Sequence, residues 1–411
     1  MNKLKSINPI IFILLIGFIA RFIFMLSFGN IYKDYYWEYG EISKYILNGN
    51  GYSFHFFNGD SLEWGFQNYT RTYPSAFMPP GYVFFVLPFL FIKNILIRNI
   101  IFYTIQNLFS LLTIIQLNNF TSKNFGNKVG LIAALIYAIT PEFIYLSNIA
   151  GPSILYHLGV IIILNLLLNK EKFKSYSFIL ILSIISVIIV YFRSEFILFT
   201  FIIFLYLIFQ KYFKQSAIFI LTFLLLLLPW QIRNYNVFNE FIFLTSNSGY
   251  NFYKGHTSNI PDSLYLTPLL KAKIAILKNK SNVEIESNKL LMKEGINQLI
   301  ANPQREVIKS FKKILHLWLL YPNDERSKNV LYFMPWFLTL SMAFIGLYKS
   351  FSINRHLFSY LFLTYHTLLA ITFFVIPRYQ TLMKIAILPF AAYGVLIIFQ
   401  FVIIKTNQLK K

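Results

Sequence analysis

Residues 8–28 read NPIIFILLIGFIARFIFMLSF, and 33–54 read KDYYWEYGEISKYILNGNGYSF. The first stretch is apolar for some twenty residues, long enough to cross a hydrocarbon core as a helix. The second gathers Asp34, Glu38 and Glu41 into eight positions of a chain that has only 16 acidic residues in 411. A membrane helix that opens onto an acidic, aromatic segment sets the frame for the whole sequence.

Working outward, apolar runs recur near 8–28, 80–97, 99–118, 128–147, 152–169, 175–192, 195–210, 215–232, 329–348, 356–376 and 380–404. They are continuous rather than alternating, so the spans are helices and not barrel strands. The expected fold is an all-α polytopic membrane protein of about 10–11 segments. A composition that is 56% hydrophobic and 19% aromatic fits no soluble domain of this length. The formal charge of +21 does not imply nucleic acid: 28 of the 37 basic residues are lysines, mostly at the ends of apolar runs or in one long loop. There is no cysteine, hence no disulfide and no thiolate chemistry. Residues 8–28 read as an anchor, since SFGNIY lacks a small-x-small cleavage pattern.

Two polar stretches, 29–79 and 233–327, interrupt the apolar runs and carry thirteen of the sixteen acids; the exceptions are Glu142, Glu171 and Glu195. They divide the chain into an N-terminal membrane module (1–232, holding loop one), loop two (233–327) and C-terminal membrane helices (328–411). Short basic connectors mark the inner side, so both loops are expected at the outer face of the cell membrane. Eight segments precede loop two where an odd number is needed, so one segment must re-enter, and 80–118 is the region to suspect. Loop two shows apolar residues at helical spacing on either side of Pro303, which implies surface helices on the outer leaflet.

Four motifs carry chemical potential. A helix begun at Asp34 places Asp34, Glu38, Glu41 and Tyr45 on one stripe; on spacing alone Asp34 reads equally well as an N-cap. NYTRTYPSAFMPPGY (68–82) sets Arg71 and Tyr73 beside prolines that open the next helix. PWQIRN (229–234) brings Arg233 to the interface, and SNSGYNFYKG (246–255) offers amides and Lys254 as an anion-binding turn. IPRYQ (376–380) places Arg378 and Tyr379 between two apolar runs, where a cation can hold a phosphate.

Taken in order, an acid followed by EY, then GxGY, PPGY, PWxxRN and a late RY resemble the GT-C membrane glycosyltransferases. The nearest subgroup is the protein O-mannosyltransferase and aminoarabinose-transferase-like family (glycosyltransferase family 39-like). The resemblance runs from Arg21 to about Pro389. It departs in having Tyr35 after Asp34 where mannosyltransferases often have Asp-Glu, and in lacking a large soluble C-terminal domain. What it implies is transfer of a hexosyl or pentosyl group from a polyprenyl-phosphate donor to a lipid, glycan or protein acceptor. Asp34 matches the family's catalytic acidic position, which implies that it is the general base taking the proton from the acceptor hydroxyl. Arg378, Arg233, Lys254 and Arg21 become candidates for the phosphate, and Glu38, Glu41, Arg71 and Tyr379 for substrate binding. A divalent metal near Asp34 is compatible with the family. The alternatives are a transporter or flippase of lipid-linked glycans, which would set ionisable residues at mid-membrane depth, and a non-catalytic subunit of an envelope-polymer assembly.

Overall fold

A computed structural model describes residues 8–55, 72–257, 266–277, 282–322 and 324–408. The helices are α1 (Pro9–Phe28), α2 (Trp37–Leu47), α3 (Pro80–Val86), α4 (Ile95–Phe125), α5 (Asn127–Ile139), α6 (Pro141–Leu146), α7 (Ser153–Leu167), α8 (Tyr176–Phe192), α9 (Ile197–Phe209) and α10 (Phe213–Phe238). Loop two contributes α11 (Ser248–Thr257), α12 (Pro268–Leu277), α13 (Val283–Ala301), α14 (Pro303–Trp318) and α15 (Glu325–Lys328). The chain closes with α16 (Val330–Lys349), α17 (Ile353–Thr372) and α18 (Pro377–Gln408). A two-residue hairpin, β1 (Ser53–Phe54) with β2 (Tyr73–Pro74), ties loop one together.

The protein is a multi-pass, all-α membrane protein. Among the described residues five helices, α1, α4, α10, α16 and α18, are long and apolar enough to span by themselves, and shorter apolar helices pack between them. The apolar segment at 80–91 is the shortest of these. Twelve residues rise about 18 Å, short of a hydrocarbon core of about 30 Å. Its end returns to where it began: Asn99, in the second turn of α4, donates to the carbonyls of Asn30, Ile31 and Lys33 at the end of α1.

The spans at 99–118 and 128–147 are corrected. The first is one helix of 31 residues, Ile95–Phe125. The second breaks at Thr140, where Pro141 starts a new helix. Polar side chains hid the length of α4: Arg98, Asn99, Gln106, Asn107, Ser110 and Thr113 are all buried, facing neighbouring helices rather than lipid. The Tyr82 hydroxyl donates to Gln106 at 2.7 Å and Asn107 donates to Asn148 at 3.3 Å, so these side chains find partners inside the bundle.

Two ionisable residues sit deep among the helices as a pair. Lys384 and Glu142 meet at 2.5 Å, and the ammonium lies 4.3 Å from the Trp336 ring centroid and 4.7 Å from that of Tyr332. Such a pair holds α6, α16 and α18 in register.

Candidate functional site

α2, α11, the α8–α9 junction and the start of α18 enclose a cavity of about 420 Å³. Its polar groups include Glu38 and Tyr39 from α2, Arg193 and Glu195 from the junction, Lys254 from α11, His366 from α17, and Arg378 and Tyr379 from α18. Leu198, Leu317, Leu369, Phe373, Phe374 and Leu382 make much of the remaining wall apolar.

The local sequence explains how α2 aims its carboxylate. The helix starts at Trp37, whose φ of 54° is left-handed, and Tyr36 is pinned beneath it by a hydrogen bond from its hydroxyl to Asn99. Glu38, Tyr39, Ile42 and Ser43 then form the inward stripe, and Ser43 donates to the Val83 carbonyl at 2.8 Å. Burial raises the Glu38 carboxyl above the ordinary glutamate range; Arg378 pulls it partly back, and Glu41 pushes it up again.

α11 sits flush against two backbones because its residues 249 and 255 are glycines. A Cβ on Gly249 would lie 2.0 Å from the Asn288 carbonyl oxygen, and one on Gly255 would lie 2.7 Å from the Phe373 carbonyl carbon. The close seat leaves the Lys254 ammonium 4.4 Å from the Phe374 ring centroid. α14 straps this arrangement from outside: His256 faces Glu306 at 2.7 Å, Lys309 donates to the His256 carbonyl at 2.6 Å, and Lys313 donates to the Ile371 carbonyl at 3.0 Å.

The cavity brings together Glu38, Lys254, Arg378 and Tyr379, and leaves out the other sequence-based candidates. Asp34 is corrected. It precedes α2, does not line the cavity, and is held by Arg98 at 2.5 Å and Lys44 at 2.9 Å. Because the helix starts at Trp37, Asp34 is neither its N-cap nor on the stripe of Glu38. Glu41 faces His55 at 3.2 Å, outside the cavity wall. Arg233 donates to the carbonyls of Ser75 and Tyr52, each at 2.7 Å, and stacks on Trp230; it latches loop one to α10. SNSGYNFYKG is not an anion-binding turn, since it forms α11 and the amides of Gly249 and Tyr250 are taken by Asn288. Arg71 lies outside the described residues.

Arg21 is fully buried away from the cavity, donating to Ser110 and to the carbonyls of Gly17, Ala138 and Tyr137. It is a knot between α1, α4 and α5. Arg21→Met is expected to cost about 3 kcal/mol, the scale of losing charge-assisted bonds and stranding their acceptors. Thermal unfolding in detergent measures that loss. An unchanged midpoint is the result that removes this role.

Arg193 and Glu195 were missed. Arg193 reaches Glu195 at 2.6 Å and lies over the Tyr379 ring. A signal was present: FRSEF (192–196) sets opposite charges between two apolar runs, and ionisable groups in such places are functional or paired.

Among the described residues no three of His, Asp and Glu gather to ligate a metal ion. The cavity sets two carboxylates, one of them paired with Arg193, against three cations. That donor set does not fit a divalent ion.

No family model matches the chain, and no curated protein matches it in sequence. Solved structures do. The archaeal oligosaccharyltransferase AglB from Archaeoglobus fulgidus, in complex with an inhibitory peptide and a dolichol-phosphate, aligns over 97% of this chain and 51% of its own, at TM-score 0.57 and 13% identity. The chain shares the GT-C fold. The same archaeal enzyme tethered with an acceptor peptide containing the NVT sequon aligns over 97% and 50%, at TM-score 0.56 and 14% identity. Its complex with Zn and sulfate aligns over 96% and 49%, at TM-score 0.55 and 13% identity. The chain spans about half the length of these GT-C structures.

Proposed function

We propose that this protein transfers a sugar from a polyprenyl-phosphate-linked donor to an acceptor hydroxyl of a lipid, glycan or protein at the outer face of the membrane. The observation that carries the reading is one cavity holding a buried carboxylate, Glu38, and two cations, Lys254 and Arg378, between apolar walls. Glu38 takes the acceptor proton as the acceptor oxygen bonds to the anomeric carbon. The bond from that carbon to the phosphate oxygen breaks, and the electron pair leaves with the phosphate. The charge growing there is met by Arg378 and Lys254. Phosphate is a competent leaving group, so no general acid is needed.

The cavity volume, near the low end of the roughly 300–1,000 Å³ usual for small-ligand sites, suits one sugar and its phosphate rather than an oligosaccharide. The apolar walls suit the first isoprene units. Lysine-bearing connectors at 170–174, 211–214 and 349–355 all lie at the opposite end of the bundle, which favours an outward-facing cavity.

Purification from its native membrane followed by mass spectrometry tests the donor class: wild-type protein carries a polyprenyl-phosphate, and Arg378→Ala carries much less. A protein that carries none, and binds none when it is supplied, is not this kind of transferase. A pH profile tests the base. Glu38 works only when deprotonated, and its pKa is raised. Activity therefore falls on acidification at a pH above the ordinary glutamate value of about 4.3. In Arg378→Ala the limb moves higher still, because the cation that opposes protonation is gone. A limb at the ordinary value, unmoved by Arg378→Ala, would assign the base elsewhere.

A further inference from the structure

A second recess lies at the other end of the bundle, with a volume of about 280 Å³, between the ends of α4 and α7 and the start of α17. α4 sets the separation. Arg98 and Asn99 at one end hold loop one, while Lys123 at the other end lines the recess, and 31 helical residues span about 46 Å.

Lys123, Lys170 and Arg355, from three different segments, converge on this recess, and no carboxylate lines it. Lys170 donates to the Asn354 carbonyl at 2.9 Å, which fixes its ammonium beside the first turn of α17. His356 also lines the recess. It is 4% exposed, stacks on Phe125 at 5.1 Å and meets Phe390 edge-on at 5.2 Å. Among the described residues its ring nitrogens have no hydrogen-bond partner. The backbone at His356 leaves helical geometry (φ −111°, ψ 15°), so α17 kinks where the ring enters the recess. Lysines at helix ends follow from membrane sidedness alone. Three cations converging with an unpartnered, buried imidazole on one acid-free recess do not.

We infer that this recess binds a phosphate group, as carried by an anionic lipid headgroup or by free phosphate. Three cations and one imidazole N–H match the acceptor oxygens of a phosphate, and basic pockets between membrane helices take such headgroups.

The test uses the full chain, delipidated in detergent, with native mass spectrometry and thermal unfolding as readouts. The probes are phosphatidylglycerol, phosphatidylcholine and inorganic phosphate. Phosphatidylglycerol should bind and raise the unfolding midpoint more than phosphatidylcholine does. The variant Lys123→Gln/Lys170→Gln/Arg355→Gln should weaken that binding about tenfold or more, as expected for lost charge-assisted contacts. Lys172→Gln/Lys174→Gln/Lys214→Gln removes the same charge from nearby positions that do not line the recess and should leave binding intact. His356→Phe keeps the aromatic stack, loses only the ring nitrogens, and should also weaken binding. Protection by phosphatidylglycerol that inorganic phosphate neither reproduces nor competes away identifies the lipid as the source; equal protection by inorganic phosphate identifies the free anion. Equal losses in the two triple variants, or no binding of either probe, overturn the proposal.

Discussion

Glu38→Gln is expected to lower turnover by about a hundred- to ten-thousand-fold, the span a general base contributes, while the protein stays folded and still binds the donor lipid. The amide keeps the size and polarity of the side chain and the stripe of α2, but it cannot take a proton. The paired measurement is Asp34→Asn. Asp34 lies off the cavity between Arg98 and Lys44, so its amide should transfer sugar at close to the wild-type rate. The cost should appear instead as a lower unfolding midpoint, because buried Arg98 loses its counter-charge. The opposite pattern, with Asp34→Asn inactive and Glu38→Gln near normal, returns the base to Asp34 and ends the present assignment.

The second large effect belongs to Arg378. Its guanidinium lines the cavity at the first turn of α18, close enough to Glu38 to oppose its protonation. Arg378→Ala should weaken donor binding and slow transfer by about ten- to a hundred-fold, the worth of one charge-assisted contact with phosphate. Arg378→Lys should recover only part, since a two-pronged donor becomes a point charge. Lys254→Met should do the same more mildly. The double variant should fall short of the product of the two, because both cations face one phosphate. Donor affinity and turnover that survive Arg378→Ala unchanged would take this residue out of the site.

Much of the architecture could be read directly. Continuous apolar runs mark helices whatever their partners, so the all-α membrane class and the two polar loops were legible. Segment ends were not, wherever a helix faces other helices. In α4 a row of buried carboxamides and hydroxyls cuts the apolar run short on paper, although most of them hydrogen-bond inside the bundle. The carboxylate stripe failed for a different reason. A helix begun at Asp34 and one begun at Trp37 use the same residues, and only the left-handed backbone at Trp37, which no local rule requires of a tryptophan, selects the second. That shift of three residues turns Glu38 inward and sets Asp34 aside. Lys254 and Arg378 were legible as cations at apolar boundaries; their convergence depends on loop two folding over loop one. Glu195 stood out as an acid between apolar runs, and only its proximity to Arg193 and Tyr379 gives it a place.

Glu38 and Arg378 come from opposite ends of the chain, and this bears on how the protein is made. Residues 1–232 include the α1, α4 and α5 elements that Arg21 ties together, so this part can organise while synthesis continues. It then holds the Glu38 carboxylate on α2 with Arg193 and Glu195 in the same wall, and with neither Lys254 nor Arg378 yet in place. Lys254 arrives with loop two, and Arg378 only when α18, the last helix, packs into place. α18 acts as a keystone: it fills the centre of the core with Leu382, Met383, Ile385 and Phe390, and the same packing step brings Arg378 to the cavity.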